Sequence, residues 1–440
     1  MFDPVPIGEY PLEHAVFLAL VVSSSVFFGA LAALNVRHGR RALERERTWV
    51  SERLGVADPD AVAAYQRAKT RLGQLRTWTV VAAILAALYS GALAAAIEFL
   101  EGLGYGPVVT GTLFFLGAVV ALRALSVPFD VYDTFVVEER FEFNEQTPAL
   151  YVRDLLLGLA ITMVIVAALA AAVLWVIEAL PALWPLAALA LFAGFSLAML
   201  VVYPRVIAPL FNDFEPVESG DLREAVERVF DRAGFTCDDV YVMDASRRSS
   251  HSNAYFVGFG RTKRVVLFDT LVDQMDLPQL EAVLAHELAH WKRAHIWKQF
   301  GAGLVRIGAL LGALWVLVEQ AWLYEMFGLP EATYAGLAVG ALWLSPLMQL
   351  SRPIENKLSL AHEREADAFA THVMGDGEPL IEALATLTGE NLSNPFPHPW
   401  YATFHYSHPP IPDRIRYIEA LDGEPADGDE SPAAGATGSD

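Results

Sequence analysis

Seven long apolar stretches limit what this 440-residue chain can fold into more than any other feature of its sequence. A helix needs about 20 residues to cross the hydrocarbon layer of a bilayer, because each residue rises only about 1.5 Å. Hydrophobic residues make up 54% of the chain, which is high for a soluble protein. The sequence therefore predicts a mainly α-helical, polytopic membrane protein with spans near 14–34, 78–99, 108–127, 155–180, 183–203, 301–327 and 332–350.

The short loops between these stretches predict an orientation in the cell membrane. Residues 1–13, 100–107, 181–182 and 328–331 contain no Lys or Arg, whereas 35–77 contains ten. Loops rich in Lys and Arg stay on the cytoplasmic side. The first span is too long for a signal-peptide core and no basic residue precedes it, so we expect it to be retained. Seven spans then place the N-terminus outside, and residues 204–300, 351–440 and the C-terminus in the cytoplasm.

The pentapeptide His286-Glu-Leu-Ala-His290 lies in an uninterrupted helical stretch of the first long cytoplasmic segment. Residues four apart share one face of a helix, so the two imidazoles can bind one ion. Glu287 lies about 100° round the same helix, close enough to reach a water on that ion. Two histidines with a carboxylate from elsewhere form the open zinc site of metalloproteases. The pattern predicts one Zn²⁺ per chain, bound by His286 and His290, with Glu287 as general base.

The third zinc ligand is predicted in the second cytoplasmic segment. Glu363 and Asp367 are again four apart in a helical stretch. Glu363 would bind the metal, and Asp367 would accept a hydrogen bond from a ligand imidazole and so fix its tautomer. Glu355 and Glu365 are rival ligands that we rank below Glu363.

The cytoplasmic segments also predict an α+β domain. A helix is expected from Asp221, capped by Ser219 or Asp221, and another over Glu281–His295 after Pro278. Strands are expected at Val240–Met243, Ala254–Phe259 and Lys263–Phe268, the last two joined by a turn around Gly260. A strand beside the zinc helix would suit an extended peptide bound by edge pairing.

These elements predict five regions. Residues 1–203 hold five spans with their loops, and residues 301–350 hold spans six and seven. Residues 204–300 and 351–420 form the two parts of one cytoplasmic zinc-metalloprotease domain. Residues 421–440, with six acids and no base, are expected to be a disordered tail.

Charge and cysteine content exclude several classes of protein. The net charge is −21, and only five of the 31 basic residues are Lys. We take the acidic, Lys-poor composition as a hypothesis of adaptation to a salt-rich cytoplasm, where charge repulsion is screened. The sign of the charge argues against nucleic acid as a partner. The lone Cys237 excludes an internal disulfide and a cysteine zinc site.

Over residues 108–420 the chain resembles the CAAX prenyl protease 1 family of integral-membrane zinc metalloproteases. Several of the segments that carry the resemblance have no obvious chemistry, so their joint match is the more specific. They are Pro128-Phe-Asp-Val-Tyr-Asp through Thr147, Tyr203-Pro-Arg-Val-Ile-Ala-Pro, Ser250-His-Ser-Asn-Ala-Tyr-Phe, Arg264-Val-Val-Leu-Phe-Asp-Thr-Leu, His286-Glu-Leu-Ala-His-Trp-Lys, Glu363-Arg-Glu-Ala-Asp-Ala-Phe-Ala and His405-Tyr-Ser-His-Pro-Pro.

The resemblance implies a barrel of seven transmembrane helices around a water-filled chamber, capped by the zinc domain. It also implies that Asn253 and His408 face the substrate near the zinc. Arg123, Arg306 and Glu319 lie within predicted spans, where a charge facing lipid is costly. A wet chamber would accommodate them, and interhelical pairing or snorkelling would serve equally.

The predicted mechanism is hydrolysis of a peptide bond by zinc-activated water. Glu287 moves the proton, His408 stabilises the negative charge that develops on the carbonyl oxygen, and Asn253 binds the substrate backbone. His405 is the rival of His408. His251, His295, His362 and His398 are interpreted as structural or as contacts behind the ligands.

The family acts on the C-terminus of prenylated proteins, so the expected partners are a lipid bilayer and a peptide or protein substrate, with or without a prenyl group. Membrane-protein quality control without prenyl dependence is the alternative function. A seven-span channel or binding protein is a distant one, because the polar motifs cluster outside the spans. A catalytically dead homologue is disfavoured, because every predicted ligand and the base are present.

Overall fold

The fold is known from a computed structural model that describes residue 5 and residues 7–235, 239–257 and 264–423. Long helices dominate it, and most begin with a proline in the first turn, where the missing N–H costs nothing. The α-helices in chain order, α1 to α17, are Pro11–Arg45, Arg47–Arg53, Pro59–Tyr89, Ala92–Glu101, Pro107–Tyr132, Pro148–Ala179, Trp184–Val202, Asp221–Arg232, Asp269–Gln274, Leu277–Lys292, His295–Val318, Ala321–Glu325, Thr333–Leu350, Arg352–Met374, Glu378–Glu390, Pro399–His405 and Ile411–Gly423.

Six helical segments are long and apolar enough to cross a membrane, so the chain is an integral membrane protein. They are Pro11–Arg45, Pro59–Tyr89, Pro107–Glu138, Pro148–Ala179, Trp184–Leu210 and His295–Val318. The third and fifth continue from α5 and α7 into π-helical turns at Asp133–Glu138 and Tyr203–Ile207. The seventh predicted span is α13, whose 18 residues measure about 27 Å and include Pro346. It is not among the six, so a seventh span stays a prediction.

Two predicted spans have the wrong bounds, and backbone turns explain both. The span at 78–99 is interrupted at Gly91, where φ is +76°, so α3 ends at Tyr89 and α4 starts at Ala92. The span at 301–327 ends at Val318, because the polar pair Glu319 and Gln320 turns the chain into the short α12.

The long helices pack against one another in a closed order. Neighbouring pairs run α1, α3, α5, α6, α7, α11, α13 and back to α1. Phe17, Leu88, Phe114 and Phe327 form a buried cluster among them.

A four-stranded sheet packs against the helices that follow residue 204. Its order is β1-β2-β4-β3, with β1 at Phe214–Pro216, β2 at Asp239–Met243, β3 at Ala254–Val257 and β4 at Arg264–Phe268. Strands β2 and β4 are parallel, and β3 is antiparallel to β4. Within the described residues β3 therefore has one free edge. The predicted end of the Ala254–Phe259 strand and the turn around Gly260 lie outside the described residues, as do Cys237 and most of the predicted tail.

Two predicted helix ends are also corrected. Helix α8 begins at Asp221, but its N-cap is Gly220, whose φ of +91° only glycine adopts easily, and neither Ser219 nor Asp221 is the cap. The predicted helix Glu281–His295 is divided at Ala294, where φ is +55°. Helix α10 therefore ends at Lys292, and His295 begins α11.

This division leaves each helix of the metal motif directly beside a long apolar helix in the chain. Two residues separate α10 from α11, and one residue separates α13 from α14. Helices α10 and α14 pack together, so segments 204–300 and 351–420 meet although helices α11 to α13 lie between them in sequence.

Candidate metal centre

Helix α10 packs with the face that carries His286 and His290 against α14. Asp276 and Gln279 form a capping box at its N-terminus. Leu280, Leu284 and Leu288 bury the opposite face in the core beneath the sheet. Helix α14 presents Glu363 and Asp367, both almost fully buried. The predicted ligands His286, His290 and Glu363 meet between the two helices.

The ligand atoms have the spacing of a tetrahedral zinc site. Nε2 of His286 lies 3.4 Å from Nε2 of His290 and 3.4 Å from Oε2 of Glu363. Nε2 of His290 lies 3.5 Å from Oε1 of the same carboxylate. Bonds of about 2.0–2.1 Å to a tetrahedral ion place ligand atoms about 3.3–3.4 Å apart. Oε2 of Glu363 is buried, and its polar neighbours are the imidazole nitrogens of His286 and His408. The three residues fit Zn²⁺.

The protonation of these groups depends on their burial and on one another. Burial and the neighbouring His286 lower the pKa of His290 to about 4, which keeps its lone pair free for a metal. Burial lowers the pKa of His286, but its hydrogen bonds to Asp367 and Glu363 raise it to about 9. Burial raises the pKa of Glu363, but the nearby His286 and His408 hold it well below its usual range.

Asp367, the residue predicted to lie behind a ligand imidazole, contacts His286. Nδ1 of His286 lies 2.9 Å from Oδ1 of Asp367, which leaves Nε2 as the metal-facing nitrogen. Arg414 on α17 binds the same carboxylate through two nitrogens, at 3.0 Å and 2.5 Å, and is itself buried. Sequence reasoning missed Arg414. The available signal was that it shares the apolar stripe of α17 with Ile411 and Ile418, three and four residues away.

His290 is contacted by His295, which in turn contacts Glu365. Its Nδ1 lies 3.1 Å from Nδ1 of His295, and Nε2 of His295 lies 3.0 Å from the Glu365 carboxylate. Since Glu365 accepts the Nε2 proton, Nδ1 of His295 is free to accept the proton on Nδ1 of His290. The ring of His362 stacks on His295 at 4.0 Å. Glu365 was a rival zinc ligand; the structure places it behind the site.

Glu287 lies on α10 between the two ligand histidines and is largely buried. Burial raises the pKa of its carboxyl group, and the charges on His286, Glu363 and His408 also act on it. A carboxyl group with a raised pKa beside a metal site has the environment of a proton carrier.

His408 lies at the open side of the site. Its Nδ1 is 2.7 Å from Oε2 of Glu363, and 61% of its side chain is exposed. His405, the rival of His408, lies 3.1 Å from the carbonyl oxygen of Tyr401, and its ring stacks on the Tyr401 ring. It is not part of the group of possible metal ligands. Asn253 is exposed at the start of β3, where its Oδ1 accepts a hydrogen bond from Ala254 N.

The remaining polar residues from the sequence have structural partners. Glu355, the other rival ligand, forms an ion pair with Arg306 at 2.6 Å, and Arg123 forms one with Asp130. The charge of Arg306 is therefore paired between two helices, and that of Arg123 is paired within one helix. Glu319 caps the end of α11 and is exposed. His398 caps α16.

Comparisons with known proteins agree along most of the chain. A family model described as CAAX prenyl protease N-terminal, five membrane helices, matches residues 48–213, and that of peptidase family M48 matches 216–422. A CAAX prenyl protease 1 homolog of Arabidopsis thaliana is 37% identical over 71% of this chain and 74% of its own length. CAAX prenyl protease 1 of Saccharomyces cerevisiae is 33% identical over 71% and 72%. The crystal structure of S. mikatae Ste24p has a TM-score of 0.83 and 26% identity, and the match covers 92% of this chain and 98% of that one.

Proposed function

The chain belongs to the CAAX prenyl protease 1 family of integral-membrane zinc metalloproteases, and we propose that it cleaves proteins near a prenylated C-terminal cysteine. The observation that carries the proposal is the complete metal group of His286, His290 and Glu363 in a chain so similar to proteases of that name. The products would be a shortened protein that ends near its prenyl group and a short peptide.

Three side chains are assigned to the reaction. His286, His290 and Glu363 would hold a zinc ion, which would supply a water molecule with a pKa of about 7 and a Lewis acid for the scissile carbonyl group. Glu287 accepts the proton of the attacking water and later donates it to the leaving amine. His408, exposed beside Glu363, donates a hydrogen bond to the carbonyl oxygen as negative charge develops on it. Asp367 holds His286 in the required tautomer.

The free edge of β3 is assigned to the substrate. An extended peptide that adds to this edge would hydrogen-bond to the strand backbone. Asn253 directly precedes the strand, and its exposed amide would bind the peptide backbone beside the metal. Helix α10 packs against β3, which keeps the edge close to His286 and His290.

We further propose that the long helices enclose a water-filled chamber, with α13 as the seventh span. The closed packing order supports this arrangement. In a bundle with a filled core each helix buries one face. In the apolar 18-residue stretch of each of the six membrane helices, only 6% to 22% of the positions are buried. A helix that separates lipid from a water-filled chamber would bury little of either face.

The division into membrane and catalytic regions remains a proposal that packing supports. Leu284 on α10, Ala370 on α14 and Val265 on β4 share one core, as expected for residues 204–300 and 351–420 in one domain. Val50 and Val62 belong to that core too. The basic loop after α1 therefore packs against the catalytic region, and we place both in the cytoplasm.

A cleavage assay on purified protein tests the proposed substrate. Two peptides with the same sequence, one farnesylated on cysteine and one not, should differ in rate, with faster cleavage of the farnesylated one. Zinc analysis of the same sample should give one ion per chain. Equal cleavage of both peptides would contradict prenyl recognition and favour the quality-control function. No zinc-dependent cleavage of either would contradict the assignment of the site.

A further inference from the structure

A cluster of polar side chains connects the membrane helices to the loop that precedes β3. We call it the His251 network. Helix α3, the π-helical turn after α5, the loop 249–253 and the end of α15 all contribute to it. Its members are Tyr65, Lys69, Asp133, Glu138, His251 and Asn391.

Glu138 is the centre of the network. Its Oε1 accepts hydrogen bonds from Tyr65 at 2.9 Å and from Lys69 at 2.7 Å. Lys69 also binds Asp133 at 2.7 Å. The Nε2 atom of His251 lies 3.4 Å from Oε2 of Glu138, within range of an ion pair. One carboxylate on the segment that continues α5 therefore contacts α3 and the loop before β3.

His251 is held from its other sides as well. Its Nδ1 lies 2.8 Å from Oδ1 of Asn391, and its ring stacks on Phe143 at 4.1 Å. Asn391 also accepts a hydrogen bond from Ser252 N at 3.2 Å. The backbone of Ser250 donates to Phe143 O at 3.3 Å. These contacts fix the loop at Ser250, His251 and Ser252, directly before Asn253.

The charges of the network favour one arrangement. Lys69 offsets one of the two carboxylates, and a protonated His251 would offset the other. Glu138 lies inside the network, with 17% of its side chain exposed, and its Oε2 faces His251. Displacement of the loop would take His251 away from this carboxylate and leave Lys69 as its one positive partner among the described residues, which is costly for a charge with little access to water. A buried polar network of this kind specifies position more than it adds stability.

We propose that Glu138 and His251 are positioning residues, which fix Asn253 and the edge of β3 for the substrate. The inference rests on the proposed function, in which Asn253 and β3 bind the peptide backbone. It also gives a physical role to two segments that carry the family resemblance but hold no residue assigned to the reaction. They are residues 128–147 and Ser250-His-Ser, which directly precedes Asn253.

Glu138→Gln tests the proposal, since it removes the charge that binds Lys69 and His251. We expect KM for the peptide substrate to rise about tenfold, because the loop that positions Asn253 would lose its charge-assisted contacts. The kcat and the zinc content should stay unchanged, because the variant does not touch the metal group. Hydrogen–deuterium exchange over 249–257 should become faster. Asp130→Asn is the matched control: it breaks the ion pair between Arg76 on α3 and Asp130 on α5, without contact to the loop.

The outcomes separate the network from the proposed function. Unchanged exchange over 249–257 in Glu138→Gln, or the same change in Asp130→Asn, would contradict the role of the network. In an Asn253→Ala background, Glu138→Gln should have little further effect on KM, and full additivity would contradict coupling through Asn253. An unchanged KM in Asn253→Ala alone would contradict the substrate role of Asn253. If Glu138→Gln does not fold, Tyr65→Phe removes only the hydroxyl group that contacts Glu138 and His251, and unchanged exchange and KM there would contradict the proposal.

Discussion

At the scale of single residues, the metal site separates ligands from the proton carrier. His286, His290 and Glu363 meet at distances that suit one ion, while Glu287 projects from the same helix without belonging to the ligand group. Zinc binding and proton transfer therefore depend on different side chains, and a substitution can affect one without the other.

Glu287→Gln keeps the size of the side chain but removes its basicity. We expect zinc to remain at one ion per chain and kcat to fall roughly 10²- to 10⁴-fold, the usual contribution of a positioned general base. Metal analysis and steady-state kinetics on the same sample check both. Retained proteolysis would exclude Glu287 as the base, and lost zinc would show that it supports the metal.

His295→Ala tests the contacts behind His290. Without His295, Nδ1 of His290 loses its acceptor, and contacts of this kind typically contribute 10- to 100-fold to metal affinity. We expect zinc affinity, measured by competition with a chelator, to fall by about that factor. Glu365→Gln should act in the same direction and less strongly. His372→Ala, at an exposed histidine on α14, is the control and should bind zinc as the wild type does.

Local periodicity explains which site residues the sequence predicted. His286 and His290, like Glu363 and Asp367, are pairs four apart on one helix, so their shared faces follow from helix geometry. Arg414 and His295 contact the site through tertiary packing, and their partners lie on other helices. No local pattern relates Arg414 to Asp367, 47 residues away.

At the scale of secondary-structure elements, the ends of helices decide where functional groups lie. The break at Ala294 ends α10 directly after the zinc motif and lets His295 point back at His290. The sequence predicted the helices themselves from apolar periodicity, but missed the breaks at Gly91 and Ala294. A left-handed residue at a helix end has only a weak signal when it is alanine.

The N-terminal cap of α10 contributes to the stability of the metal helix. Asp276 accepts a hydrogen bond from Gln279 N at 3.0 Å, and Gln279 Oε1 accepts one from Asp276 N at 3.3 Å. Asp276→Ala should destabilise the protein by about 1 kcal/mol, as loss of an Asp cap does in other helices. A lower thermal midpoint with unchanged KM would agree with a local effect. An unchanged midpoint would contradict the contribution of the cap.

The loop before β3 should respond to pH through His251. Burial lowers the pKa of His251, but its hydrogen bonds to Glu138 and Asn391 raise it above its usual value. The groups that face it are Tyr65, Glu138, Asn391 and, at longer range, Lys69.

A raised pKa means that the folded protein binds this proton more tightly than the unfolded chain does. The contribution of His251 to stability is therefore complete below about pH 6.5 and is lost as the pH rises through the folded-state pKa. The difference in Tm between wild type and His251→Gln should shrink as the pH is raised from 5.5 to 9. A difference that is constant over this range would contradict protonation of His251.

At the scale of the whole molecule, the two metal helices lie directly beside long apolar helices in the chain. Two residues separate α10 from the membrane helix α11, and one residue separates α13, the proposed seventh span, from α14. The His251 network and the packing of Val50 and Val62 add further contacts between the membrane region and the catalytic core. The metal centre is therefore held at one end of the helix ring, and the orientation of the ring in the membrane decides which compartment supplies the substrate.

Labelling of single cysteines tests that orientation. The native thiol is first removed as Cys237→Ser, and one cysteine is then placed at an exposed position, either Leu103→Cys after α4 or Glu52→Cys in α2. With the N-terminus outside, an impermeant maleimide should modify Leu103→Cys in intact cells. It should modify Glu52→Cys only after the membrane is permeabilised, because that loop has ten basic residues and packs with the catalytic core. The reverse pattern would place the metal centre outside the cytoplasm and would contradict a prenylated cytoplasmic substrate.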